Sequence, residues 1–144
     1  MKLFVITSRI PFPLDKGDKL RIYHQLKELS KHHKIYLCAI KSPLSKEHKL
    51  SREVLNEFCE EVYFINQSLL LTFFSLLKAF FNSLPFQTAL FTEFRAKKSV
   101  NHIIDKIKPD HIYCQLTRVA EYVKDRKETK TLDYMDAFSK GMER

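Results

Sequence analysis

The run Asp15-Lys16-Gly17-Asp18-Lys19-Leu20-Arg21 gathers the residue types that hold an anion. Lys16 and Lys19 offer compact positive charge, and the planar guanidinium of Arg21 can grip a phosphate through two parallel N–H bonds. Gly17 is one of only two glycines in 144 residues. It is expected to take a left-handed conformation and to let a ligand come close to the backbone. Asp18 is expected to cap a helix whose unpaired N–H groups and positive dipole end add to the same field. The chemistry would be phosphate binding. Neither G-x-G-x-x-G nor the Walker A pattern is present, so this is no dinucleotide fingerprint and no P-loop. A tight turn with a capped helix and solvated lysines accounts for the same residues and stays open as the alternative.

These side chains need elements to position them. Leu3-Phe4-Val5-Ile6 is a short apolar run of strand formers and reads as a buried parallel strand. Pro11, Pro13 and Gly17 break regular structure over the next segment. Leu20, Tyr23, Leu26 and Leu29 then recur as one apolar stripe, and basic residues from Lys31 to Lys34 end that helix where the dipole favours them. Imidazole at His32-His33 would suit the same helix end. Ile35–Ile40 is a second strand, which completes a βαβ-sized unit. The pattern repeats. Ser45 can cap a helix with Leu50, Val54, Leu55 and Phe58 on its apolar face, ahead of a strand at Val62–Ile65. Val100, Ile103, Ile104 and Ile107 mark a further helix, and His111–Cys114 a fourth strand. Val119, Tyr122 and Val123 mark another helix, and Thr131–Met135 a fifth strand.

Alternating strands and helices predict an α/β, Rossmann-like parallel sheet with helices on both faces. Right-handed crossovers favour the order 3-2-1-4-5. Strands 1 and 4 are then neighbours whose connections leave in opposite directions, and ligands bind in the crevice at their carboxyl ends. Two loops border that crevice, Arg9 to Asp18 and Gln115 to Arg118. Thr117 and Arg118 join the candidate binding residues, and Asp136, beyond strand 5, lies along the same edge.

The chain carries a formal net charge of +8, unevenly placed. Residues 1–50 hold 11 basic and 4 acidic side chains, a net of +7, against +1 for the remainder. Such a field favours phosphates in nucleotides, nucleic acid or an anionic membrane. Nucleic acid is not favoured, because no recognition helix or aromatic stacking motif accompanies the charge. A hydrophobic content of 44% and a charged content of 29% exclude general disorder. Three cysteines leave an odd count with no close pair, which argues against a disulfide framework or a zinc knuckle. Cys38 and Cys114 sit in apolar runs and read as buried hydrophobes. The six histidines show no ligand spacing, so no metal is expected.

Residues 68–92 stand apart, with one charge, Lys78, and six of the twelve phenylalanines. The apolar part, residues 69–81, falls short of the roughly 20 residues that span a bilayer. It reads either as a helix packed on protein or as a membrane-facing surface. The first apolar run is too short for a signal peptide, so a cytoplasmic location is expected, peripheral at the inner membrane face if residues 69–81 meet lipid.

The run from Thr7 to Leu29 resembles the N-terminus of group 1 (family 4) glycosyltransferases, in the branch of bacterial exopolysaccharide synthesis. It shows an R-x-P-x-P segment (Arg9-Ile10-Pro11-Phe12-Pro13), a K-G-D-[KR]-x-R loop (Lys16 to Arg21) and a helix ending in Glu28-Leu29. Ser83-Leu84-Pro85-Phe86 and the stretch from Leu132 to Ser139 are similar to the same branch. The resemblance implies a GT-B fold, two Rossmann-like domains facing across a cleft, of which residues 1–144 would form the N-terminal, acceptor-side domain, incomplete and without the donor-binding domain. It implies a retaining transfer from a nucleotide-sugar to a glycan or lipid-linked acceptor, with no cofactor or bound metal. By that comparison Gly17 matches a glycine-loop position near the donor phosphates, although Lys16-Gly17 stands where many relatives have a double glycine. Asp136 matches an acidic position after the fifth strand. The chain alone is expected to be inactive in transfer, and the alternative reading is a non-catalytic module that binds an anionic, phosphate-bearing ligand or a partner chain.

Overall fold

A computed structural model describes residues 1–41, 49–68 and 94–134. Five strands form one all-parallel sheet: β1 (Lys2–Thr7), β2 (Lys34–Lys41), β3 (Glu61–Asn66), β4 (His111–Gln115) and β5 (Thr129–Asp133). Their order is β3-β2-β1-β4-β5, as the connection rules predict. The described helices are α1 (Gly17–Leu29), α2 (Ser51–Asn56), α3 (Phe94–Ile107) and α4 (Thr117–Ala120). The candidate helix cap Ser45, residues 69–81, Ser83–Phe86 and Asp136 lie outside the described residues. Among the described residues no helix is long and apolar enough to cross a membrane.

The period-2 alternation of each strand sorts its side chains into two cores. Phe4, Ile6, Cys38, Ile40, Ile112 and Cys114 face one side and pack with Val100, Ile104, Val119 and Tyr122. Leu3, Val5, Ile35, Leu37 and Ala39 face the other and pack with Ile22, Leu26 and Leu55. Both faces being covered explains why the strands read as continuous apolar runs. The first core also holds a satisfied polar knot. Gln67 Nε2 donates to the buried Tyr122 hydroxyl at 2.9 Å, and Asn101 Nδ2 donates to the Tyr122 carbonyl at 3.1 Å. These bonds tie the end of β3 to α3 and to the turn after α4, with no buried hydroxyl left without a partner there.

Several local expectations need correction. The strict three-residue stripe placed Leu20 in the core, but Leu20 is 43% exposed and Ile22 is buried instead. Three residues advance a helix by about 300°, so such a stripe drifts about 60° per step and leaves the buried face. Asp18 is not the cap: α1 begins one residue before it, at Gly17, and Lys16 occupies the N-cap position without a side-chain cap bond. Leu50 likewise precedes α2 and is exposed. The fifth strand begins two residues earlier than Thr131, because the β4 register pairs His111 with Thr129. The helix expected around Val119 is a single turn, Thr117–Ala120, although Val119, Tyr122 and Val123 are all buried as their pattern required.

The helix α3 ends through a left-handed residue, Lys108, at φ 51°, whose N–H donates to the Ile104 carbonyl at 2.8 Å. Glycine normally takes this position, since a Cβ there crowds the following carbonyl. Lys108→Gly is expected to raise stability by about 1 kcal/mol. Thermal unfolding checks this; an unchanged or lower midpoint would mean that the lysine side chain offsets its own strain.

Candidate functional site

The connections after β1 and β4 leave toward opposite faces of the sheet, and the carboxyl ends of these two strands meet α1. Thr7 Oγ1 donates to the Arg9 carbonyl at 2.7 Å and turns the chain out of β1. Ile10 and Pro11 are buried, and the Phe12 carbonyl accepts from Ser51 Oγ at 3.3 Å, which fixes the loop to α2. The Phe12–Pro13 peptide is cis. From the β4 side, Gln115 Nε2 donates to the Asp18 carbonyl at 3.1 Å. The first turn of α1 is thereby held against the end of β4.

The first intrahelical bond of α1 runs from the Leu20 N–H to the Lys16 carbonyl at 2.9 Å. Among the described residues, the N–H groups of Gly17, Asp18 and Lys19 carry no hydrogen bond. They point out of the helix N-terminus, where the dipole favours an anion. Gly17 is the first helical residue and does not have a positive φ, contrary to expectation. Its role is therefore one of space. A Cβ at Gly17 would meet nothing within 4 Å, so the backbone lies open on that side.

The cations expected to surround a phosphate are mostly engaged with carboxylates. Arg9 Nη1 pairs with Asp18 at 3.2 Å, and Lys19 Nζ pairs with Asp15 at 2.8 Å. The Lys19 hydrogen bond holds the Asp15 carboxyl below its ordinary range, and the Lys16 charge acts in the same direction. Arg21 Nη2 reaches both carboxylate oxygens of Asp133, at 3.3 and 3.1 Å. Among the described residues Lys16 alone of these cations makes no side-chain hydrogen bond or ion pair, and it is exposed. Three of the cations nearest the crevice are thus paired with carboxylates, and the field at the α1 end comes mainly from Lys16 and the helix N-terminus.

Asp133 is the acidic residue that sequence reasoning missed. It ends β5, and its carboxylate also accepts from the Tyr113 hydroxyl at 2.7 Å, while its carbonyl accepts from the Leu116 N–H at 2.9 Å. Burial, and then the hydrogen bond to Asp133, push the Tyr113 phenol above its ordinary range, so Tyr113 is a fixed donor. The register pairs Tyr113 with Thr131, and Asp133 follows two residues later on the same face. That period-2 step is the signal that would have found it.

Leu116, between β4 and α4, has φ 71° and ψ 153°. A non-glycine residue in this region costs roughly 1–3 kcal/mol and persists only where its surroundings hold it. Here the bond to Asp133 and the β4 ladder hold it. The strained turn places Thr117 and Arg118 in the first turn of α4, with Thr117 exposed and Arg118 half-buried. Lys16, Gly17, Asp18 and Arg21 therefore share the α1 end of the crevice, Thr117 and Arg118 follow β4, and Lys19 is held by Asp15.

Cys38, Cys59 and Cys114 are all buried and unbridged. Burial pushes the Cys59 thiol up to about 12 and the Cys114 thiol up to about 11, so neither is a thiolate nucleophile near neutral pH. Among the described residues no three His, Cys, Asp or Glu side chains gather to hold a metal ion. Comparison of the chain with protein-family models and with curated proteins finds no match.

Proposed function

We propose that residues 1–144 form the N-terminal, acceptor-side domain of a retaining glycosyltransferase of the GT-B type. The intact enzyme would move a sugar from a nucleotide-sugar to a glycan or lipid-linked acceptor in bacterial exopolysaccharide synthesis. One observation carries this reading. The Lys16-Gly17 loop, on which the family resemblance rests, lies at the opening between β1 and β4, with unpaired N–H groups and open space above Gly17. In such an enzyme the leaving diphosphate accumulates negative charge as the glycosidic bond to the donor breaks. Preorganised N–H groups and a lysine aimed at that charge stabilise it without reorganisation. Lys16 and the start of α1 supply such groups here. Arg21 supplies none while Asp133 holds it, and its proposed part is to fix the edge of the crevice through β5.

Transfer in a two-domain enzyme needs both facing domains. The 144 residues supply one, so they are expected to bind a diphosphate weakly and not to turn over. Calorimetry with UDP, GDP and UDP-sugars tests the loop. Lys16→Ala should weaken binding by about tenfold, the size of a lost charge-assisted hydrogen bond. Gly17→Val should abolish it by filling the open side, with melting behaviour retained in both variants. Diphosphate binding indifferent to both changes would reject the loop as the site. Robust sugar transfer by this chain alone would reject the division of labour between domains.

A further inference from the structure

Both loops that border the crevice are tied to one residue at the end of β5. Arg21 and Gln25 stand four residues apart on α1 and so share a face. Arg21 Nη2 reaches both oxygens of the Asp133 carboxylate, and Gln25 hydrogen-bonds the Tyr113 hydroxyl. Tyr113 in turn donates to Asp133 at 2.7 Å. Gln115, the register partner of Asp133, donates to the Asp18 carbonyl at 3.1 Å. The Asp133 side chain is 13% exposed against 44% for Arg21, so the carboxylate is the enclosed member of the pair.

The second loop reaches the same residue through the backbone. The Asp133 carbonyl accepts from the Leu116 N–H at 2.9 Å. Leu116, at φ 71°, occupies the N-cap position of α4, so Thr117 and Arg118 take their places from a strained residue. Such a conformation persists only where its neighbours over-determine it. Here the side-chain bonds to Tyr113 and Arg21 fix Asp133, and Asp133 fixes Leu116. One acidic residue thereby joins α1, β4 and the turn after β4.

We propose that Asp133 is a positioning residue that holds the start of α1 and the turn after β4 in one arrangement, so that Lys16 and the first N–H groups of α1 stand ready for a phosphate-bearing ligand. This rests on the reading of the Lys16-Gly17 loop as the phosphate site. Asp133 does not itself meet the ligand: a carboxylate repels an anion, and its oxygens are engaged by Arg21 and Tyr113. Its contribution is preorganisation, which raises affinity by removing the cost of ordering a loop on binding. The opposite sign would follow if Asp133 only quenched Arg21, since its removal would then release a cation to the anion.

Amide hydrogen exchange and calorimetry with UDP, both on the full chain, test this. Asp133→Asn keeps the side-chain shape and removes its charge. Exchange should quicken by about tenfold both at Leu20 to Tyr23 and at Leu116 to Val119, the size of one lost bond to a charged group, while β2 and β3 keep their protection. UDP affinity should also fall by about tenfold. Arg21→Ala should match that loss. The double variant Arg21→Ala/Asp133→Asn should bind no more weakly than Asp133→Asn alone, because the two residues act as one unit. Tyr113→Phe removes only a hydroxyl from the anchor; it should give the same pattern at about threefold, and it carries the test if Asp133→Asn does not fold. Faster exchange throughout the sheet, or in only one of the two segments, would overturn the proposal. So would unchanged or tighter UDP binding in Asp133→Asn. No UDP binding by the unaltered chain would overturn the phosphate site and the role built on it. That result differs from failure of the coupling alone, in which UDP binds and the variants leave its affinity unchanged.

Discussion

The melting temperature is expected to hold level up to pH 9 and to fall steeply above it. Three thiols set this. Cys38, Cys59 and Cys114 have relative exposures of 0%, 6% and 2%, and burial raises all three above the ordinary value of 9.0. In the unfolded chain the thiols ionise as pH passes 9.0, whereas in the folded protein Cys114 keeps its proton to about 11 and Cys59 to about 12. The folded state then binds more protons than the unfolded one, so stability falls with rising pH. The stabilisation is complete below the unfolded value and disappears as pH climbs toward the folded values. Each thiol contributes a slope of about 1.4 kcal/mol per pH unit, so three give about 4 kcal/mol per unit once pH exceeds 10. Tyr113, held protonated by burial and by Asp133, acts in the same direction at still higher pH. Chemical denaturation across pH 8 to 11 checks this. In a Cys38→Ala/Cys114→Ala variant the slope between pH 9 and 10, below the phenol range, should fall by about two-thirds, because two of the three thiols are gone. A profile that stays flat to pH 10.5 would contradict the buried, protonated state of these thiols.

Phe4→Ala should cost about 3–5 kcal/mol, as a fully buried aromatic truncated in a covered core. Phe4 lies on the central strand β1, between β2 and β4, with none of its surface exposed. It belongs to the core shared by Ile40, Val100, Ile104, Ile112 and Tyr122, contributed by three other elements and the turn after α4. Truncation removes its transfer free energy and leaves a cavity that a parallel sheet covered on both faces cannot collapse around. A domain of this size has about 5–15 kcal/mol of stability in all, so the variant should be largely destabilised at room temperature. Leu20→Ala serves as the control, since Leu20 is exposed and should change stability by no more than about 0.5 kcal/mol. Urea midpoints separate the two. A loss under about 1 kcal/mol for Phe4→Ala would mean that this core relaxes around the gap.

Strand identity was legible because buried parallel strands have no polar face to confuse the reading. Leu3 to Ile6, Ile35 to Ile40 and His111 to Cys114 all appear as strands, and right-handed crossover left few orders to choose among. The place of the crevice followed from that order. Element ends were less legible. A helix starts where backbone geometry and tertiary bonds allow, and no local residue announces that α1 opens at Gly17 rather than after a cap at Asp18, or that the Lys16 position lacks a side-chain cap. The stripe through Leu20 failed for a different reason: a three-residue spacing only approximates the helical period.

Within the candidate site the same division holds. Residue types determined that a cationic, glycine-bearing loop follows β1 and that its charge lies in the first third of the chain. Partnership was decided in three dimensions. Arg21 and Asp133 are 112 residues apart and meet only because β5 lies beside β4 and α1 crosses their ends. Nothing in the sequence around Arg21 marks it as neutralised, and nothing around Lys16 marks it as the cation left over. Local sequence specifies which side chains can carry charge and where backbone breaks fall. Ion pairing is a contact between distant segments, set by strand order and register, so only the tertiary structure decided which charges remain to meet a ligand and which hold the fold together.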